Sequence, residues 1–141
     1  MKVKFLLCDE IRREIDGKLI ALGVYLDDTL VMDMSRDIAN PEPEASPLIG
    51  IERLTFLINT SDCNGEHFKF SAQVYDPNGN TPGLEMDLGE ATIEAGTSHN
   101  VIVESKPFVF SRHGTFRFDF RTNQTTHSFP FYIHAHTGAA T

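Results

Sequence analysis

Residues 2–26 read KVKFLLCDEIRREIDGKLIALGVYL. Two apolar runs, 3–8 and 19–26, enclose a polar segment that ends in Asp16-Gly17. That dipeptide tolerates the positive φ angles of a tight hairpin turn. Apolar runs with little alternation are buried on both faces or lie inside a sheet. The stretch therefore predicts a long hairpin that seeds the core. Val3, Phe5, Leu7, Ile11 and Ile15 share one parity and are expected to face inward, with Asp9 and Arg13 as exceptions or at a bulge. Gly23, inside the second strand, points to a kink or a close backbone approach.

Working outward, Asp27-Asp28 breaks the second strand, and residues 29–33 read as a short third one. Residues 35–47 hold Pro41, Pro43 and Pro47, which remove ladder donors, so a surface loop is expected there. Residues 51–60 place Leu54, Phe56 and Ile58 on one face. Residues 67–76 alternate cleanly, with Phe68, Phe70, Ala72 and Val74 inward, and Pro77-Asn78-Gly79 ends them as a turn. Between residues 84 and 95 the apolar parity switches at Gly89. A bulge at Gly89-Glu90, or a turn separating two strands, would repair it. Residues 100–111 form a strand interrupted at Lys106-Pro107, which marks an edge or a bend. Phe116, Phe118 and Phe120 face one way, Arg117, Asp119 and Arg121 the other. Phe129, Phe131 and Ile133 continue the apolar face in a last strand.

Short strands with turns at close intervals and no sustained helical period predict an all-β antiparallel sandwich of the immunoglobulin-like or jelly-roll-like kind. A closed β-barrel is the alternative. A length of 141 residues suits one domain, over 1–136, with residues 137–141 as a flexible tail.

The charge balance is acidic, 12 Lys+Arg against 20 Asp+Glu, net −8. Phosphate backbones are bound mainly by neutralising cations, so no nucleic-acid partner is expected. Anionic membrane surfaces are disfavoured for the same reason. No run approaches the ~18 apolar residues of a membrane span, and residues 1–8 are too short for a secretory h-region. A cytoplasmic protein follows, with Cys8 and Cys63 as free thiols rather than a bridge.

Chemistry-bearing residues are few. His134 and His136 stand two apart and share a strand face, the minimum for a metal site. A carboxylate or third imidazole would have to come from elsewhere, and the competing reading is a solvated strand end. Asp27, Asp28, Asp33, Asp37, Glu42 and Glu44, or Asp76, Asn78 and Asn80, could hold calcium as in C2-type sandwiches; turn chemistry explains the last three without an ion. Arg117 and Arg121, with Lys69, form a small basic patch that Asp119 offsets. Cys8 lies in an apolar strand, where burial raises the thiol pKa and makes it inert. No nucleophile–base pair, carboxylate pair or phosphate-cradling glycine loop is present, so no catalytic residue and no cofactor are expected. An enzyme site assembled from distant strands stays open.

Cys8-Asp9, Arg12/Arg13-Glu14, Gly17-Lys18 and Gly23-Val24-Tyr25 together resemble the N-terminal signature of a family of small uncharacterised bacterial proteins. Asp76-Pro77-Asn78-Gly79 resembles a turn of the same family. The resemblance covers about the first fifth of the chain; it implies a bacterial, β-rich, single-domain protein and transfers no activity. Within it, Arg12, Arg13, Glu14 and Lys18 have two readings: ion pairs with Asp9 or Glu14 that brace the hairpin, or contacts to a binding partner. Unpaired strand edges suit a protein partner or self-association. The function expected is thus a non-enzymatic interaction or structural module. The alternative is a cupin-like or C2-like sandwich that binds a metal or small ligand.

Overall fold

The computed structural model describes residues 1–33, 49–81, 85–110 and 113–136, and of residues 32, 33, 49, 50, 135 and 136 the backbone alone. The expected loop at 35–47, with Asp37, Glu42 and Glu44, and the tail at 137–141 lie outside the described residues. The strands are β1 (Lys2–Arg13), β2 (Leu19–Val24), β3 (Thr29–Asp33), β4 (Ile49–Ile51), β5 (Leu54–Ser61) and β6 (His67–Tyr75), then β7 (Met86–Thr92), β8 (His99–Ser105), β9 (Phe108–Phe110), β10 (Gly114–Thr122) and β11 (Thr126–His136). A 3-10 turn, Leu26–Asp28, is the only helical element among the described residues. No helix among the described residues is long and apolar enough to cross a membrane.

The strands form a β-sandwich. One sheet runs β2-β1-β5-β8, the other β3-β11-β10-β6-β7, and β4 pairs with β9 alone. Period-two alternation places one apolar set per strand between the sheets. Leu7, Phe56 and Val103 lie side by side across β1, β5 and β8, as do Phe5, Ile58 and Val101. Phe116, Phe118 and Phe120 of β10 meet them from the other sheet, all buried. Phe56 stacks on Phe118 with centroids 4.6 Å apart, and Phe5 on Phe129 at 5.0 Å. The phenylalanine-rich strands thus form one aromatic core.

Several local expectations shift. Ile15 was expected inward; it is fully exposed, because it sits in the turn rather than on β1. The Gly17 amide donates to the Glu14 carbonyl at 2.9 Å and Gly17 takes φ +86°, so residues 15–17 form a three-residue hairpin loop. The parity switch near Gly89 is a bulge. The β6 register slips between Lys69 and Ser71, whose partners are Glu90 and Asp87, so Leu88 and Gly89 both stand opposite Phe70. The chain bends at Lys106-Pro107 and leaves the first sheet for β9, which sends Phe108 and Phe110 into the core. One ladder is parallel: β3 runs alongside β11, with Leu30 opposite Ile133. The break at Asp27 and Asp28, both with φ above +50°, carries the chain from one sheet to the other.

Candidate functional site

The first hairpin outruns its sheet. β1 pairs with β5 from Lys2 to Cys8, whereas β2 follows β1 from Cys8 to Arg13. Residues 9–13 and 19–23 therefore form a two-stranded arm. Asp9 stands at its root. Cys8 opposes Val24 and Glu10 opposes Leu22, which puts Asp9 across from Gly23. Gly23 takes φ +65°, and a Cβ there would lie 2.2 Å from Asp9 Oδ2. Only a glycine leaves room for the carboxylate. Past Gly23, the Tyr25 hydroxyl donates to Asp9 Oδ1. Buried Thr55 donates its hydroxyl to the Asp9 carbonyl at 3.0 Å, fixing the root to β5. Burial, then the bond to Asp9 and its charge, pushes the Tyr25 phenol well above the usual tyrosine range. The phenol is thus held as a neutral donor.

A shallow cleft of about 380 Å³ opens beside Asp9, lined also by Ile51, Glu52 and Arg53. Arg53 bridges Glu10 of the arm at 3.2 Å and Glu104 of β8 at 3.8 Å. Lys106 adds a contact to Glu104 at 3.1 Å. The carboxylates around the cleft, Asp9, Glu10, Glu52 and Glu104, outnumber the cations Arg53 and Lys106, so the cleft keeps an acidic excess.

Of the four charged residues expected at the hairpin, Arg12 pairs with Glu10 at 3.5 Å, and Lys18 with Asp16 at 3.5 Å. Arg12 reaches neither Asp9 nor Glu14. Among the described residues Arg13 and Glu14 form no ion pair, and all four side chains are exposed.

His134 and His136 lie on β11 opposite Val31 and Asp33 of β3. His134 is exposed; the side chains of His136 and Asp33 lie outside the described part. No group of three His, Cys, Asp or Glu among the described residues is placed to hold a metal ion. Asp76 accepts from the Asn78 and Asn80 amides at 2.9 Å each, a turn that uses its carboxylate locally. Cys8 and Cys63 are both free and buried. Burial, then the charge of Asp9, raises the Cys8 thiol, against a weaker pull from its bond to the Glu10 carbonyl.

On the outer face of the second sheet, buried Asp119 takes Arg117 Nε at 2.9 Å and lies 3.8 Å from Arg121. Arg121 also donates to the Tyr75 hydroxyl at 2.6 Å and to Glu85 at 3.2 Å. The Arg117 guanidinium sits 4.2 Å above the Tyr75 ring. Two arginines thus meet two carboxylates and an aromatic face, which makes a self-contained brace. Lys69 does not join it; its backbone amide instead donates to the Asn123 side-chain oxygen at 3.3 Å.

The sequence offers Asp9 only as an ion-pair partner of the hairpin arginines, names Tyr25 only within the N-terminal resemblance, and gives Arg53 no role. A two-residue turn at Asp16-Gly17 would set Asp9 across from Val24; the three-residue loop shifts the register by one and brings Asp9 to Gly23. Arg53 lies in the connection between β4 and β5, far along the chain from the hairpin, and leaves no local mark. The chain matches no family model, no curated protein and no solved structure. Of the residues named in the N-terminal resemblance, Asp9, Gly23 and Tyr25 meet in space.

Proposed function

We propose that this chain is a non-enzymatic protein-interaction module that engages its partner through the β1–β2 arm. One observation carries the reading. Of the four strands at the ends of the two larger sheets, β2 alone (LIALGV) has no charged residue; β3, β7 and β8 each carry at least one carboxylate. Edges are ordinarily blunted with charge, proline or bulges, and an apolar edge left open is a template for a further strand. Arg12, Arg13, Glu14 and Lys18 surround the tip and would fix register and orientation at the rim. A net charge of −8 supports a protein partner rather than nucleic acid. Two free cysteines support a reducing cytoplasm, and the N-terminal resemblance supports a bacterial one.

Photo-crosslinking tests this in cells. A crosslinking residue at position 15, at the exposed tip, is expected to give a discrete adduct that Leu22→Lys abolishes. No adduct, or the same adducts in the Leu22→Lys chain, would refute the reading.

A further inference from the structure

We infer that the partner strand on β2 is β2 of a second copy of this chain, paired antiparallel about a two-fold axis at Leu22. The inference rests on the interaction reading above and names its partner. Isologous pairing demands that residue i meet residue j while j meets i. The exposed apolar residues of β2 satisfy this by themselves. Ile20, Leu22 and Val24 are 39%, 36% and 42% exposed and lie symmetrically about Leu22. With Leu22 on the axis, Ile20 of one copy faces Val24 of the partner subunit and the reverse. Among the described residues nothing pairs with this edge.

Charge complementarity favours the same arrangement. The end of β2 next to the turn carries Arg12, Arg13 and Lys18 against Glu14 and Asp16, a net positive end. The other end leads directly into Asp27 and Asp28. An antiparallel pair sets each positive end beside the partner's acidic end, twice by symmetry. In this register Lys18 falls opposite Leu26 of the partner subunit, one residue from its Asp27. A parallel pair would set like ends together. The result is a continuous eight-stranded sheet across two sandwiches, with both arms buried at its centre.

A six-residue edge is small beside a standard interface of about 1,600 Å², so the pair is reversible, with Kd on the order of 10–100 µM. Sedimentation velocity of the full chain from about 5 to about 500 µM tests it. Wild type is expected to pass from monomer to dimer. Leu22→Lys sets two lysines face to face on the axis and is expected to stay monomeric with an unchanged melting temperature. Lys18→Glu is expected to weaken the dimer about fivefold, from two rim pairs. A dimer that Leu22→Lys leaves intact overturns the pairing. So does a wild-type monomer at every concentration. If that monomer still gives a Leu22-dependent crosslink to another protein, the self-pairing falls and the interaction reading stands; with no such crosslink both fall.

Discussion

Replacing Gly23 by alanine tests the arm's root most directly. Two costs add. At φ +65° a non-glycine residue carries about 1–2 kcal/mol of backbone strain. The new methyl would lie 2.2 Å from Asp9 Oδ2, 2.8 Å from its Cγ and 3.1 Å from its Cβ. Turning the carboxylate aside does not clear contacts that reach Cβ, so the side chain must leave Tyr25. Losing that charge-assisted bond on a partly exposed site costs about 1–2 kcal/mol more. The total is about 2–4 kcal/mol. For a chain of this size each kcal/mol moves Tm by about 3–5 °C, so a fall of about 6–20 °C is expected in thermal unfolding. Gly17→Ala is the control: its φ is +86°, yet a Cβ there meets nothing within 4 Å, so only the backbone strain applies. In an Asp9→Ala background the excess cost of Gly23→Ala over Gly17→Ala should shrink to the small part left by the remaining 3.1 Å contact with the Cβ of residue 9. Equal losses for Gly23→Ala and Gly17→Ala in the wild-type background would refute the assignment of Asp9 to the space above Gly23.

Tyr25→Phe should cost about 1 kcal/mol at neutral pH in chemical denaturation. Because the folded phenol pKa is raised, its contribution is present below the unfolded value near 10 and is lost as pH rises above it; the variant should lose less stability than wild type above pH ~10. His127 is held below the ordinary imidazole range, by burial first and then by the N-terminal charge. The unfolded chain therefore binds its proton first, stability falls as pH drops through about 6.5, and His127→Gln should flatten the Tm profile between pH ~7 and ~5. Phe56→Ala removes a buried ring that touches Phe5, Phe108, Phe118 and Phe131, and should cost about 3–5 kcal/mol in urea unfolding. Under the interaction reading, added Zn²⁺ leaves Tm unchanged; a rise that His134→Ala abolishes would move the reading to a metal-binding sandwich at His134 and His136.

The sequence by itself determined which face of most strands is buried. Phe68, Phe70, Ala72 and Val74, or Phe116, Phe118 and Phe120, declare their face through a two-residue period that any short window contains. Turns at Asp16-Gly17 and Asp76–Gly79 were legible because their backbone angles select the residues locally. Gly23 was legible as a close approach, but not as an approach to Asp9. Only the tertiary structure decided that β3 runs parallel to β11, that Arg53 of the β4–β5 connection reaches Glu10, that Tyr75 and Glu85 complete the brace around Asp119, and that β2 ends its sheet. Each of these depends on which strands become neighbours and in what register. That choice is made by burying the whole aromatic core at once, over separations along the chain that no local pattern spans.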